Sequence, residues 1–348
     1  MSARTTRELS DGVIVGEYQL DALLGSGGMG QVYRAHPLGG GDEVAIKILL
    51  KEHVENAGVV ARFLREARAA RVVEHPNVVK VIDIGRDAES RPFIVQELLR
   101  GEDLSKLLKV TRKLSPSLAV ELLIPVGDAM AFAHERGVVH RDLKPGNIFI
   151  TFVGGKRTPK VLDFGISHLM EADDGTRLTS TGMSLGTPAY MAPEQIMASK
   201  EIDARADVWS LGVILYQLVA GRLPFAKAES AGALYVQICT TEAPPLEKTV
   251  PGVPREYARI VARCLRPERK DRYPSAAELL VDLRKLQDDP AGAASRGVRS
   301  GMDRVLVETA EPGEKDVQGG GGEQGGADAT VRVLGANQDP LALERRTN

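Results

Sequence analysis

The chain has 348 residues, of which 43% are apolar and 26% charged, and its formal net charge is −2. This length and apolar content are sufficient for one large core or for two lobes. Basic and acidic residues are interspersed, so the composition argues against a nucleic-acid-binding protein. Cys239 and Cys264 are too few for a disulfide framework, and we expect both to be reduced thiols in the core.

The N-terminal segment, residues 1–17, is charged and lacks the apolar core of a secretory signal. No stretch of the sequence reaches about eighteen consecutive apolar residues, the length expected of a membrane-spanning helix. These features predict a cytoplasmic protein without an integral membrane span.

A glycine-rich segment separates two predicted strands, Tyr18 to Leu24 and Gln31 to His36. It reads Gly25-Ser26-Gly27-Gly28-Met29-Gly30, and Val32 follows it. Glycines allow backbone N–H groups to approach a phosphate that a Cβ would obstruct. The segment leads into a strand and not a helix, which argues against a dinucleotide-binding fold. Because the chain contains 36 glycines, the pattern alone is also compatible with an ordinary hairpin.

The next predicted strand runs from Glu43 to Leu50. Its two-residue periodicity places Ala45, Lys47 and Leu49 on one face and three branched apolar residues on the other. Lys47 is therefore expected to point to the same side as Ala45.

A helix is predicted over residues 57–73, and Glu66 lies in the middle of its apolar stripe. The stripe consists of Val59, Phe63, Ala70 and Val73. A carboxylate in this position needs a cation. The alternative is that Glu66 extends to solvent and pairs with neighbouring arginines of the same helix.

A longer helix is predicted to begin at Ser115-Pro116 and to end at Gly137. Pro125 and Gly127 interrupt its pattern and predict a kink. The interruption is unusual for a helix of this length.

Two further helices are predicted near the end of the folded part. Residues 207–220 are apolar on all sides, which indicates a buried helix that Gly221 terminates. Ser275 and Glu278 form a capping box for a last helix that ends near Leu286.

The most informative segment is His140-Arg141-Asp142-Leu143-Lys144-Pro145-Gly146-Asn147, followed by Asp163-Phe164-Gly165. Asp142 suits a base, and Lys144 can place a positive charge near a transferred group. Asn147 and Asp163 offer the hard oxygen ligands that Mg²⁺ accepts together with phosphate and water. This combination is typical of phosphoryl transfer, in which a protein orients a nucleophile and neutralises charge on the phosphoryl oxygens.

These two motifs resemble the catalytic loop and the metal-binding loop of eukaryotic-like (Hanks-type) bacterial serine/threonine protein kinases. The resemblance covers residues 18–288. It implies an α+β, bilobal fold, with a small antiparallel-sheet N-lobe and hinge over residues 18–100 and a larger, mainly helical C-lobe over residues 101–288. It also implies ATP as the phosphoryl donor, Mg²⁺ or Mn²⁺ as the metal, and protein substrates.

The resemblance assigns the phosphates of ATP to the glycine-rich segment and to Lys47. In the family this lysine, within Val44-Ala45-Ile46-Lys47, holds the α- and β-phosphates and pairs with a glutamate that matches Glu66. The residues assigned to nucleotide binding in this lobe are Gly25, Ser26, Gly27, Gly28, Met29, Gly30, Val32, Ala45 and Lys47.

Residues 91–101 resemble the hinge between the lobes. By position, Gln96 is the gatekeeper, the backbone of Glu97 and Leu99 faces the adenine, and Asp103 contacts the ribose. A glutamine gatekeeper departs from the usual apolar residue, which changes the polarity expected behind the adenine.

Residues 171–184 form a polar, hydroxyl-rich stretch that resembles an activation segment. Thr179 and Thr181 are its candidate phosphosites, and Arg141 is a ready partner for the added charge. The alternative is that these hydroxyls only solvate a loop.

The stretch ends at Gly186-Thr187-Pro188-Ala189-Tyr190-Met191-Ala192-Pro193-Glu194, which resembles the peptide-docking end of an activation segment. In the serine/threonine branch a threonine at the position of Thr187 bridges the base and Lys144. The resemblance therefore assigns Asp142, Lys144, Asn147, Lys47, Glu66 and Thr187 to catalysis, and Asn147 and Asp163 to the metal.

The resemblance also assigns structural roles to three residues of the larger lobe. Glu194 and Arg272 match an ion pair that ties the docking end to this lobe, and Asp207 matches the residue that supports the catalytic loop from behind. Each of them alone would more often be a surface ion pair.

Residues 289–348 are rich in glycine and in polar residues, and they are predicted to be a disordered tail. Val331 to Leu334 is a short candidate docking motif within it. The expected activity is that of a serine/threonine kinase, activated by autophosphorylation between two copies of the chain. The alternatives are a pseudokinase that serves as a nucleotide-binding scaffold and a small-molecule kinase, although the filled catalytic positions and Ala192-Pro193-Glu194 argue against them.

Overall fold

The computed structural model describes residues 12–164, 188–197, 199, 201–225, 228 and 230–288. Within these residues a six-stranded antiparallel sheet with one long helix forms a small lobe, and helices dominate a larger lobe. This arrangement matches the predicted α+β, bilobal architecture.

The sheet of the small lobe has the strand order β1-β2-β3-β4-β6-β5. Its strands are β1 (Ile14–Val15), β2 (Tyr18–Ser26), β3 (Gly30–Pro37), β4 (Val44–Leu49), β5 (Val81–Arg86) and β6 (Pro92–Glu97). The glycine-rich segment therefore contains the end of β2, the turn of residues 27–29 and the start of β3, so it separates two strands as predicted. The short edge strand β1 pairs with the start of β2 and lies before the predicted boundary at residue 18.

Strand β4 has the two faces that its periodicity predicts. Val44, Ile46 and Ile48 pack into an apolar cluster with Tyr33 and Phe93 on one side of the sheet. Ala45 belongs to a separate cluster on the other side. Lys47 is therefore directed toward the interface with the larger lobe.

Helix α1 (Ala57–Val72) lies beside β5 and β6 and begins at Asn56, whose side chain accepts the N–H of Val59 at 3.1 Å. Phe63 is fully buried and Glu66 is 8% exposed. The apolar stripe thus faces the protein interior and carries Glu66 with it. The alternative that Glu66 extends to solvent is wrong.

The larger lobe contains eight helices in the described part of the chain. They are α2 (Leu104–Thr111), α3 (Pro116–Glu135), α4 (Pro193–Ile196), α5 (Arg205–Ala220), α6 (Ala231–Thr240), α7 (Leu246–Thr249), α8 (Arg255–Cys264) and α9 (Ala276–Asp288). A small sheet, in the order β7 (Gly101–Asp103), β8 (Ile148–Val153) and β9 (Lys156–Val161), lies at the border with the small lobe.

Helix α3 differs from its prediction in two respects. It ends at Glu135 instead of Gly137, and it continues through Pro125 and Gly127 without interruption. A Cβ on Gly127 would lie 2.8 Å from Cδ2 of Leu280, so this glycine permits close packing of α3 against α9. The expected interruption at these two residues is therefore wrong, whereas the kink stays a prediction.

By length and composition, α3 is the one helix among the described residues that could cross a membrane. However, 61% of its most apolar window is buried inside the protein, where α3 packs against α5 and α9. A core helix of a large lobe has the same properties.

The last two predicted helices are present. Helix α5 is buried on nearly all sides around Trp209 and ends at Gly221, whose φ is +69°. Helix α9 begins after Ser275, whose hydroxyl accepts the N–H of Glu278 at 3.3 Å.

The two cysteines are free thiols. Cys264 is fully buried, and this burial raises its pKa to about 12. Cys239 is only partly buried, so the prediction of a core position holds for Cys264 alone.

Candidate active site

Asp207 of α5 binds the backbone of the catalytic-loop segment through its carboxylate. Oδ2 of Asp207 accepts the N–H of His140 at 2.8 Å, and Oδ1 accepts the N–H of Arg141 at 2.8 Å. His134 of α3 donates to Oδ2 at 2.8 Å. Burial raises the pKa of Asp207, but the contacts with His134 and with the loop outweigh burial and hold the pKa below its usual value. Asp207 is therefore a buried, ionised anchor for the loop.

The carboxylate of Asp142 is fixed by two neighbours on the same loop. Nζ of Lys144 lies 2.9 Å from Oδ2 and 3.2 Å from Oδ1 of Asp142. Nδ2 of Asn147 donates to the backbone oxygen of Asp142 at 2.8 Å and to its Oδ2 at 3.1 Å. Both amide hydrogens of Asn147 are directed to Asp142, so its carbonyl oxygen points elsewhere.

The segment that carries Asp163 is joined to this loop by hydrogen bonds of Leu162. The N–H of Leu162 donates to the backbone oxygen of Asn147 at 2.8 Å, and its carbonyl accepts Nε2 of His140 at 3.0 Å. Phe164 is fully buried, with its ring centroid 5.0 Å from that of His140. The two motifs are therefore a single packed unit.

Lys47 of β4 contacts carboxylates from two other elements. Its Nζ lies 2.9 Å from Oδ2 of Asp163 and 3.9 Å from Oε2 of Glu66. The side chain of Lys47 is 13% exposed. The structure thus brings together a strand, a helix and a loop that are distant in the sequence, as the assignment of these residues requires.

The ionisation of Lys47 and Glu66 depends on this contact. Burial lowers the pKa of Lys47, but the charges of Asp163 and Glu66 outweigh it, so the pKa is raised and the ammonium is retained. Burial raises the pKa of Glu66 to about 7, and Lys47 opposes the shift only in part. The charges of Asp163 and Asp142 also raise it.

An apolar cluster lies between the lobes next to these charges. It contains the predicted residues Val32, Ala45 and Leu99. It also contains Val79, Phe149 and Leu162, which the sequence did not single out. Phe149 and Leu162 lie close to the catalytic motifs in the sequence, and this proximity is the signal that could have identified them.

The glycine-rich turn is closed by a hydrogen bond from the N–H of Gly27 to the oxygen of Gly30, at 2.8 Å. Nε2 of His53 also contacts the oxygen of Gly28 at 2.9 Å. A Cβ on Gly30 would lie 2.6 Å from the oxygen of Ile48, so this glycine is required by the neighbouring strand. A Cβ on Gly28 would meet no atom within 4 Å, so the turn is open on that side.

The hinge is fixed by Glu97. Its N–H donates to the oxygen of Lys80 at 3.0 Å, so an adenine contact of Glu97 would have to use its carbonyl. Its Oε1 accepts the N–H of Lys80 at 2.8 Å and lies 2.6 Å from Nζ of Lys160. Gln96 is 4% exposed, and Leu99 is also buried.

Asp103 caps helix α2 in the structure. Its carboxylate accepts the N–H of Lys106 at 3.0 Å and the hydroxyl of Ser105, and it pairs with Nζ of Lys106 at 3.0 Å. A contact with a ribose would therefore compete with capping. This assignment stays a prediction.

Several predicted residues lie outside the described part of the chain. These are Gly165, Thr179, Thr181 and Thr187. The tail, including Val331 to Leu334, also lies outside it. Nη1 of Arg141 is buried and has no hydrogen-bond partner among the described residues.

A groove of about 1300 Å³ lies on the other side of the hinge. Its walls include Val73, Val81, Leu98 and Lys160. None of the residues assigned to catalysis or to the metal lines it. The catalytic and metal-binding residues therefore lie outside this groove.

A family model described as the protein kinase domain matches residues 18–282. The chain belongs to the protein kinase family. The kinase is 36% identical to serine/threonine-protein kinase pkn3 of Myxococcus xanthus, over 100% of this chain and 67% of the relative. It is 38% identical to a probable serine/threonine-protein kinase of Corynebacterium efficiens, over 82% of this chain and 43% of the relative. It therefore spans about two thirds of the first relative and less than half of the second.

Among solved structures, the kinase resembles the kinase domain of Mycobacterium tuberculosis PknI, with a TM-score of 0.62 and 25% sequence identity. The similarity covers 80% of this chain and 99% of that domain. The predicted bilobal kinase fold and the predicted membership in the bacterial serine/threonine protein kinases are confirmed.

Proposed function

We propose that the kinase transfers the γ-phosphoryl group of ATP to serine and threonine hydroxyls of protein substrates. The observation that carries this proposal is the joint position of Asp142, Asn147 and Asp163, which the hydrogen bonds of Leu162 hold together. Lys47 lies 2.9 Å from Asp163 at the same site. The arrangement provides a base, oxygen ligands and a cation, as phosphoryl transfer requires.

Asp142 is the group that orients the substrate hydroxyl and accepts its proton. The substrate oxygen forms a bond to the γ-phosphorus while the bond from phosphorus to the oxygen of the leaving ADP breaks. Lys144, at 2.9 Å from Asp142, places its charge where the transferred group passes. Catalysis of this kind depends mainly on positioning and charge stabilisation. Thr187 is proposed to bridge Asp142 and Lys144.

The residues present fit a divalent metal. The carbonyl oxygen of Asn147 and the carboxylate of Asp163 are hard oxygen donors of the type that Mg²⁺ and Mn²⁺ bind. Within the described residues no group of three or more His, Cys, Asp or Glu side chains could hold a metal ion, so phosphate and water oxygens would supply the remaining ligands. When bound, the metal neutralises charge on the phosphate oxygens.

The adenine is proposed to lie against the apolar cluster of Val32, Ala45 and Leu99, with the carbonyl of Glu97 and the N–H of Leu99 as polar contacts. The phosphates are proposed to lie under the turn of Gly25, Ser26, Gly27, Gly28, Met29 and Gly30, next to Lys47. Asp103 stays the proposed ribose contact. An apolar lining with a few polar groups is typical of a small-molecule site.

Autophosphorylation of Thr179 or Thr181 is proposed to activate the kinase. Burial lowers the pKa of the Arg141 guanidinium, and its Nη1 has no hydrogen-bond partner within the described ranges. A phosphate would supply both a charge and acceptors. We further propose that two copies of the chain phosphorylate each other and that the kinase acts in the cytoplasm.

The deciding experiment compares the wild type with Asp142→Asn. The purified 348-residue proteins are incubated with labelled ATP, Mg²⁺ and casein, and phosphoamino acids and modified peptides are identified. We expect phosphoserine and phosphothreonine, with kcat about 10²–10⁴-fold lower in Asp142→Asn and ATP binding retained.

The control is Asp42→Asn, which removes the same charge from an exposed loop of the small lobe. It should retain wild-type activity. ATP binding without transfer by the wild type would favour the scaffold, and phosphorylation of small alcohols but not of protein would favour a small-molecule kinase. Peptide mapping of the same samples shows whether Thr179 or Thr181 carries phosphate.

A further inference from the structure

Gln195 connects the docking end of the kinase to its catalytic loop. It follows Ala192-Pro193-Glu194 directly and is 9% exposed. Its Oε1 accepts the N–H of Ala192 at 3.0 Å, and its Nε2 donates to the backbone oxygen of Arg141 at 2.7 Å. The two ends of one amide therefore join segments that are 54 residues apart.

The accepting residue, Arg141, has an unusual backbone conformation. Its φ is +67°, in the left-handed region that residues other than glycine rarely occupy. Such a conformation persists only when the surroundings hold it. Asp207 holds the N–H of Arg141 at 2.8 Å, and Gln195 holds its carbonyl at 2.7 Å.

The carbonyl of Arg141 belongs to the peptide unit that leads into Asp142. The N–H of this same unit donates to Nδ1 of His140 at 3.3 Å, which is a long hydrogen bond. The bond from Gln195 is therefore the shorter of the two that orient this peptide plane. Because the plane sets the direction in which the Asp142 side chain leaves the backbone, a rotation there displaces its carboxylate.

We propose that Gln195 is a positioning residue for Asp142, so that the docking end and the base are held in one geometry. The proposal rests on the proposed kinase activity. A glutamine suits the position because one contact needs an acceptor and the other needs a donor. The substitutions at this site can therefore separate the two contacts.

Two variants make that separation. Gln195→Glu retains an acceptor for Ala192 but, when ionised, has no hydrogen to donate to Arg141. Gln195→Met retains the approximate volume and loses both contacts. If the bond to Arg141 matters, both variants lower kcat at pH 8 by about tenfold or more, while KM for ATP stays within about twofold.

The pH dependence of Gln195→Glu provides a second readout. Burial raises the pKa of a carboxyl at this position, and the protonated carboxyl can donate to the oxygen of Arg141. The ratio of the variant's kcat to the wild-type kcat should therefore rise as the pH falls from 8 to 6. The same ratio for Gln195→Met should stay constant, because methionine does not titrate.

The outcomes are distinct. Wild-type kcat for Gln195→Glu at pH 8, with a loss in Gln195→Met only, would show that the contact with Ala192 is the one that matters and would overturn the proposal. Parallel losses of kcat, ATP affinity and melting temperature, with no pH-dependent recovery, would indicate general destabilisation and also overturn it. An inactive wild type would instead refute the proposed function. If either variant does not fold, Gln195→Asn replaces it, since this amide is shorter by one methylene and should show the same selective fall in kcat.

Discussion

Two clusters of charged residues in this kinase are built in opposite ways. In the larger lobe the guanidinium of Arg272 is fully buried, and Nη1 and Nη2 lie 2.8 and 2.9 Å from the two carboxylate oxygens of Glu194. Its other N–H groups donate to the backbone oxygens of Arg266, Pro267 and Arg205. All five donors of an arginine are therefore used.

Within the described ranges, Lys47, Glu66 and Asp163 in the cleft between the lobes have fewer contacts with one another than Arg272 and Glu194 have with their neighbours. Lys47 serves two carboxylates, with the distance to Glu66 too long for a hydrogen bond at 3.9 Å. Asp163 is 26% exposed and Asp142 is 21% exposed. Burial of these two carboxylates is incomplete, so their oxygens remain accessible to a metal.

The difference shows which charges serve the fold and which serve the chemistry. In a saturated cluster every donor already has a partner, so none is available to a ligand. Such a cluster stabilises the alignment of the segments that it joins. An unsaturated cluster costs stability in the free protein and acquires its partners when the ligand binds. Substitutions in the two clusters should therefore have opposite consequences for stability.

The largest expected effect is a loss of stability in Arg272→Met. Removal of the guanidinium leaves the carboxylate of Glu194 buried without its cation, which typically costs about 3–5 kcal/mol. Urea unfolding followed by circular dichroism measures the difference. Arg284→Met, which removes an exposed pair with Asp128, is the control and should cost less than about 1 kcal/mol. A similar small cost in Arg272→Met would mean that saturation does not distinguish the cluster.

The site residues whose positions the sequence predicted are those that depend on local spacing along the chain. The segment from His140 to Asn147 places its side chains within one loop, and the helical period alone brings Glu66 to the buried face of α1. The alternation in β4 likewise fixes the direction of Lys47. Local geometry determines these positions, so the sequence reveals them.

Other functional contacts depend on distant segments and have no local pattern. Gln195 contacts Arg141, and Lys160 contacts Glu97, across 54 and 63 residues respectively. The sequence alone suggests that Gly127 interrupts a helix, whereas in the structure it allows Leu280 to pack closely against α3. The conformation of Arg141 follows from side chains that surround it, which the sequence of the loop does not contain.

An effect of intermediate size is expected for Glu66→Gln, which should weaken ATP binding but increase the stability of the folded protein. At pH 8 Lys47 loses a carboxylate that orients it, so KM for ATP should rise by about tenfold. The folded protein should nevertheless become more stable at pH 8 by roughly 1–3 kcal/mol, because the variant removes a buried carboxylate whose pKa is raised to about 7.

The sign of the pH dependence follows from the direction of that shift. A group with a raised pKa in the folded state stabilises it at low pH, and this contribution is lost as the pH rises from about 4.5 through about 7. The stability gain of Glu66→Gln should therefore grow across this window and level off above it. Thermal unfolding at pH 5, 6, 7 and 8 measures the gain, and a constant difference would contradict the prediction.

The smallest effect is expected for Lys160→Met, which removes the ion pair at the hinge. The ion pair of Lys160 with Glu97 is 2.6 Å long and partly buried, with 12% and 29% of the side chains exposed. Oε1 of Glu97 keeps the N–H of Lys80 as a donor when Lys160 is replaced. We therefore expect a stability loss of at most about 1 kcal/mol and a change in KM for ATP within about threefold.

Lys51→Met is the matched control, since it removes an exposed pair with Glu89 at a distance from the hinge. It should leave both the unfolding midpoint and KM for ATP unchanged. A loss of more than about 2 kcal/mol in the free energy of unfolding of Lys160→Met would show that the hinge pair stabilises the fold, as the Arg272 cluster does. A large rise in KM with no change in stability would place it with the cleft, because the pair would then act on the nucleotide through the position of Glu97.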